Sequence, residues 1–124
     1  MQIYNSGSGG QPYFLIDDGT TQASMADTGV DYADGAWHNV TVTVDRSGNA
    51  TMYIDGDQRG TASVSSLASV NTNDHDTIEI GRYWTSDNYY DYMDGLIDEV
   101  MLFNYSLTAT QVKSIVTQGQ AAFN

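Results

Sequence analysis

Four Asp-Gly pairs, at positions 18, 34, 55 and 94, punctuate a chain in which short runs of β-forming residues recur about every ten positions. Asp-Gly tolerates the positive φ that a tight hairpin demands, so each pair marks a place where an extended chain can reverse within two residues. Two pairs are flanked on both sides by apolar runs. Asp18-Gly19 separates Tyr13-Phe14-Leu15-Ile16 from Thr21 to Met25, and Asp55-Gly56 separates Met52-Tyr53-Ile54 from Gln58 to Val64. Both read as antiparallel hairpins, and the spacing is that of an all-β protein rather than of β-α-β units.

The strands between these turns carry the period of two that a half-buried sheet requires. Val40, Val42 and Val44 alternate with Thr41 and Thr43, and Ala50, Met52 and Ile54 alternate with Thr51 and Tyr53. Strict alternation sets Trp37 opposite the valines, which implies either a bulge or a Trp facing a ligand. Ile78 and Ile80 mark a further strand. Residues 95–103, Gly-Leu-Ile-Asp-Glu-Val-Met-Leu-Phe, predict a long central one. One helix is expected, starting after Thr108. Thr108 and Gln111 form a capping box, Leu107 and Val112 a hydrophobic staple, and Val112, Ile115 and Val116 an apolar stripe. Gly119 suits a left-handed stop. Residues 1–11, with Asn5-Ser6-Gly7-Ser8-Gly9-Gly10, read as a flexible N-terminal segment, and residues 12–124 as a single domain.

Charge narrows the function classes. Sixteen Asp and Glu against four Lys and Arg give a net charge of -12, which repels nucleic acid and anionic membranes. No run approaches the roughly 18 apolar residues of a membrane span. The absence of cysteine excludes disulfides and a thiol nucleophile. Residues 1–10 have neither the basic start nor the apolar run of an export signal, so any such signal is expected outside this chain.

Three segments in order resemble the laminin-G-like jelly-roll family of the concanavalin A-like lectin and glucanase superfamily. They are Asp34-Gly35-Ala36-Trp37-His38-Asn39-Val40-Thr41-Val42-Thr43, Ala50-Thr51-Met52-Tyr53-Ile54-Asp55-Gly56, and Asp94-Gly95-Leu96-Ile97-Asp98-Glu99-Val100 running into Asn104-Tyr105-Ser106-Leu107-Thr108. The resemblance spans roughly residues 12–118. It implies an antiparallel β-sandwich, a concanavalin A-like jelly roll, with one short C-terminal helix. Family members open with strands that no segment here resembles. Their loss would leave an open sheet edge, so a homo-oligomer or a partner chain at that edge is expected.

The densest chemical signal is Tyr83-Trp84-Thr85-Ser86-Asp87-Asn88-Tyr89-Tyr90-Asp91-Tyr92, which holds five of the fourteen aromatics in ten residues. Flat rings stack on the C–H faces of sugars while Asp and Asn bond to hydroxyls, so Tyr83, Trp84, Asp87, Asn88, Tyr89, Tyr90 and Tyr92 are the candidate ligand residues. The same rings could instead cap an open end of the sandwich. Calcium is the cofactor that the resemblance implies, and by position it nominates Asp98 as a metal ligand. Independently, the oxygen-rich run Asn71 to Asp76 offers Asp74 and Asp76, whose plainer role is a solvated acidic turn.

Catalysis is not expected. His38 and His75, the two histidines, stand far apart in sequence, and there is no Gly-x-Ser-x-Gly elbow. Glycosidases need two carboxyl groups across one bond, but Glu79 and Glu99 are the two glutamates and lie twenty positions apart. The expectation is a non-catalytic module binding a glycan or surface glycoprotein, extracellular, at a cell surface or on a virion. The alternative is a structural or assembly domain of a virion or adhesin completed by a partner chain. A glycoside hydrolase fragment ranks last.

Overall fold

A computed structural model of the chain describes residues 2–6, 10–67, 78–84 and 90–122. Nine strands and one α-helix lie among them: β1 (Gln2–Ser6), β2 (Gln11–Asp17), β3 (Gln22–Ala26), β4 (Val40–Val44), β5 (Asn49–Ile54), β6 (Asp57–Ser63), β7 (Glu79–Ile80), β8 (Arg82–Trp84), β9 (Tyr90–Tyr92) and α1 (Ala109–Ala122). They form a four-stranded sheet in the order β3-β2-β1-β7, a three-stranded sheet in the order β4-β5-β6, and a two-stranded ribbon of β8 and β9. Every pairing is antiparallel except β1 with β7.

Both predicted hairpins form. β2 and β3 pair from Tyr13 with Ala26 to Asp17 with Gln22. Their turn is closed by the Asp18 amide donating to the Thr21 carbonyl at 3.1 Å, and the Asp18 carboxylate accepts from the Thr20 and Thr21 amides. At the tip of β5 and β6, Asp55 and Gly56 both take positive φ, 53° and 84°, the mirror-image turn whose twist matches that of the strands it joins.

The two sheets stack through their alternating apolar faces. Phe14 and Ile16 of β2 and Ala23 and Met25 of β3 meet Ala50, Met52 and Ile54 of β5, with Val64 and Leu67 closing the layer. Val40, Val42 and Val44 of β4 are only half-buried against this core. The opposite side of β5 is not left to solvent. Tyr53 is buried in a second cluster with Leu107 and Val112, so α1 covers the outer face of the small sheet. The helix begins as its sequence dictates, with Thr108 N–H donating to Gln111 Oε1 at 2.8 Å and Gln111 N–H to Thr108 Oγ1 at 3.3 Å.

Three expectations need correction. Residues Gln2–Ser6, expected in a flexible lead, pair with β2 as β1 and lie inside the large sheet, where strands on both sides, β2 and β7, take up the backbone hydrogen-bonding groups of this short run. Gly119 does not stop the helix, which continues to Ala122. Most consequentially, residues 95–103 form no strand. The segment is irregular and solvent-exposed, with Leu96 at 80% exposure, and Glu99 interrupts it in the left-handed region at φ 49°.

Candidate functional site

The aromatic run expected to contact ligand is built partly on the β8–β9 ribbon. Its register sets Trp84 opposite Tyr90, Tyr83 opposite Asp91 and Arg82 opposite Tyr92. Arg82 and Tyr92, as an opposed pair, share one face of the ribbon. Tyr92 is 65% exposed. Asp87, Asn88 and Tyr89 lie outside the described residues.

The base of the ribbon is fixed. Gly81, at φ 79°, accepts the Met93 amide through its carbonyl at 2.9 Å, and Arg82 is ion-paired with Glu79 of β7. The ribbon packs beside β1. The ribbon's backbone is thus tied at its base to the large sheet.

Asp98, the metal ligand nominated by resemblance, stands exposed on the irregular segment, where its Oδ1 accepts the amide of Glu99 at 2.7 Å. Among the described residues no three His, Cys, Asp or Glu side chains are grouped to hold a metal ion. Calcium needs several converging oxygens, and one exposed carboxylate with its own backbone partner does not fit it. Asp74 and Asp76 lie outside the described residues.

Sequence reasoning missed a polar pin beside Trp37. His38 Nδ1 lies 2.8 Å from Asp55 Oδ2 and its Nε2 lies 3.2 Å from Asp34 Oδ1. Asp55 Oδ1 also accepts the Asn39 amide at 2.9 Å, so one carboxylate joins the β5–β6 turn to the loop that leads into β4. Tyr32 sets its ring edge-on to the imidazole, with centroids 5.1 Å apart, and donates its hydroxyl to Asp27 at 2.7 Å. The bond to Asp55 is the main cause that raises the His38 pKa above its ordinary value, assisted by Asp34 and opposed by partial burial. For Asp34 the Ala36 amide, followed by His38, pulls the carboxyl below the usual range. Desolvation, with the bond to Asp27 second, pushes the Tyr32 hydroxyl up to about 12.

Both imidazole nitrogens lie within hydrogen-bond distance of carboxylates, so His38 ties the Asp34 loop to the β5–β6 turn and takes up a proton more readily than a free imidazole. What it holds is the loop bearing Trp37, whose ring is 65% exposed. Trp37 needs no bulge to escape the core, because it precedes β4 rather than lying within it. The signal that would have found the pin was available. Asp34 and His38 stand four apart, and Asp55 sits in the hairpin turn of the next strand pair.

Comparison with known proteins adds two findings. The sequence model of a laminin-G-like family, described as the concanavalin A-like lectin/glucanases superfamily, matches residues 1–113. The match begins at the first residue, consistent with β1 belonging to the sheet. Among solved structures, the chain is similar to an S-layer domain-containing protein from Clostridium thermocellum, residues 221–444 of that protein. The TM-score is 0.58 at 23% identity, over 91% of this chain and 59% of that one, so the likeness is one of fold and the chain spans under two thirds of its neighbour. No curated protein matches.

Proposed function

Because the chain belongs to the laminin-G-like family of the concanavalin A-like lectin and glucanase superfamily, we propose that it is a non-catalytic surface module that binds a glycan or surface glycoprotein. The observation that supports this reading is the ribbon register, which pairs Trp84 with Tyr90 and Arg82 with Tyr92 on a ribbon anchored at its base to β7. Pyranose rings present apolar C–H faces to such a surface, and rings already held in place lose little freedom on binding. Trp37, on its pinned loop, is a second aromatic contact. In this reading Tyr83, Asp87, Asn88 and Tyr89 supply the remaining polar and aromatic contacts.

A strongly acidic protein favours a neutral or cationic ligand over a polyanionic one, unless a cation intervenes. A calcium ion held by Asp74 and Asp76 would be that cation; Asp98, alone among the described carboxylates, would not hold one. The location is extracellular or at a cell or virion surface. Support comes from the family and from the neighbour's description as an S-layer domain-containing protein. The same description favours the second reading, a structural or assembly domain of a surface layer.

A glycan array tests both. Wild-type protein should bind a defined set of glycans, and Trp84→Ala with Tyr90→Ala should lose that signal at an unchanged melting temperature. Retained binding in the double variant rejects this face of the ribbon. No signal from the wild type, together with extended oligomers in solution, favours the assembly reading. Repeating the array with chelator reads the cation: loss of signal supports the Asp74 and Asp76 loop, and an unchanged signal retires it.

A further inference from the structure

We propose that residues 96–103 are a strand displaced from its sheet, and that they add to the free edge of β4 in a second copy of the chain, two copies exchanging these segments reciprocally. The reading is independent of glycan binding, and a glycan-binding monomer would defeat it alone.

The first observation is an imbalance between layers. The large sheet has four strands and the small one three. The sheets lie close along β3 and β6. At the far edge of the large sheet, Ile80 of β7 is 36% exposed and Ile78, just before it, 55%. A fourth strand beyond β4 would bring the small sheet to the same number of strands as the large one.

The edge that would accept such a strand is ready for it. β4 reads Val-Thr-Val-Thr-Val, and among the described residues its one strand partner is β5. It has no lysine, no proline and no bulge, the devices by which edges are ordinarily protected. Its three valines already reach the core and remain half-exposed.

The donor is the segment itself. Six of its eight residues are large and apolar, Leu96, Ile97, Val100, Met101, Leu102 and Phe103, and all six are exposed. They occupy both parities, as a strand covered on both faces requires. One face would meet Ile78 and Ile80. The other would continue the apolar surface of α1, where Phe103, Tyr105, Leu107 and Ile115 line an open groove of about 230 Å³. Extension would also return Glu99 from its left-handed backbone, a conformation that a non-glycine residue disfavours.

A second copy is the occupant because one chain carries both the unfilled edge and the unpaired strand. Two copies satisfy both at once through a self-complementary, closed arrangement. Eight residues exchanged in each direction bury roughly 2,000 Å² in total, at or above the size of a stable interface. Charge opposes the contact. Two chains of -12 repel, so association should strengthen as salt rises, opposite to an interface held by ion pairs.

The chain has no cysteine, which gives a clean crosslinking test. Thr41→Cys and Met101→Cys variants, mixed, denatured, refolded together and treated with a short bismaleimide, should yield a covalent heterodimer. Each variant alone should give little. The double variant in one chain should also run as a dimer; a crosslink closed within a single chain would overturn the proposal by showing that the segment fills its own sheet. Light scattering should return twice the chain mass at high micromolar concentration and high salt, and once that mass for Leu102→Lys with an unchanged far-ultraviolet spectrum. A wild-type monomer under those conditions would overturn the proposal.

Discussion

Replacing His38 with Gln tests the pin that holds the Trp37 loop, and the sign of its pH dependence follows from the geometry. Gln can keep a neutral hydrogen bond but cannot carry charge. In the folded protein the imidazole lies 2.8 Å from Asp55 and 3.2 Å from Asp34, and its pKa is raised, first by Asp55. A group whose folded pKa exceeds its unfolded value of about 6.5 contributes its full stabilisation below that value and loses it as pH rises through the folded one. A charge-assisted bond is worth about 1.5–3 kcal/mol when sheltered. Asp55 is 40% exposed, so water screens the bond, leaving about 1 kcal/mol. For a domain of this size that corresponds to a melting temperature lower by about 3–5 °C in His38→Gln near pH 5.5, shrinking as pH rises through the raised folded value of His38. Asp34 works in the other direction. Its pKa is lowered, so its contribution is present above the unfolded carboxylate value and is lost only as pH falls through the folded one, below the window used here. Thermal melts of both proteins across that range measure the gap. A gap that stays constant, or widens toward alkaline pH, would refute the account of His38 as a cation between two carboxylates.

Two further outcomes test the local physics of the fold. Thr108→Ala should lower stability by about 1 kcal/mol in chemical denaturation, and adding Gln111→Ala should cost less than the sum of the single changes, because the two side chains satisfy each other's amides. Gly10→Ala and Gly35→Ala share a positive φ, at 60° and 83°, but differ in space: a β-carbon on Gly10 falls 2.4 Å from the Ala33 amide nitrogen, and one on Gly35 meets nothing within 4 Å. Gly35→Ala should therefore cost about 1–2 kcal/mol, the price of the backbone conformation, and Gly10→Ala distinctly more; equal losses would show that the loop around Ala33 yields freely.

Where sequence and structure agree, the information was local. A hairpin needs an Asp-Gly turn and alternation on either side, and both lie within a dozen residues, so β2 with β3 and β5 with β6 were legible, down to Ala50, Met52 and Ile54 facing inward. The capping box was legible for the same reason, since Thr108 and Gln111 are three residues apart. The ribbon was half legible. Its aromatic composition stood out, but the pairing of Trp84 with Tyr90 and Arg82 with Tyr92 depends on register between two strands, and that register is not written in either strand alone. The N-terminal strand was hidden by composition, because Gln2–Ser6 owes its place to neighbours on both sides rather than to its own propensity.

Residues 95–103 show why hydrophobic pattern specifies burial without specifying where. Apolar residues at both parities say that a strand must be covered on both faces, and a central strand is the arrangement that does so within one sheet. The pattern is silent about which sheet, and equally silent about whose. Among the described residues β4 ends the small sheet with β5 as its one strand partner, while the segment that matches it lies exposed between the ribbon and α1 in sequence. Residues 96–103 thus encode a buried strand by their pattern while standing outside either sheet of this chain. An edge and a strand that each lack a partner, carried by one sequence, are the two halves of a contact, and the rule that predicts burial for Leu96 to Phe103 is satisfied as well by a neighbouring copy as by the chain's own core.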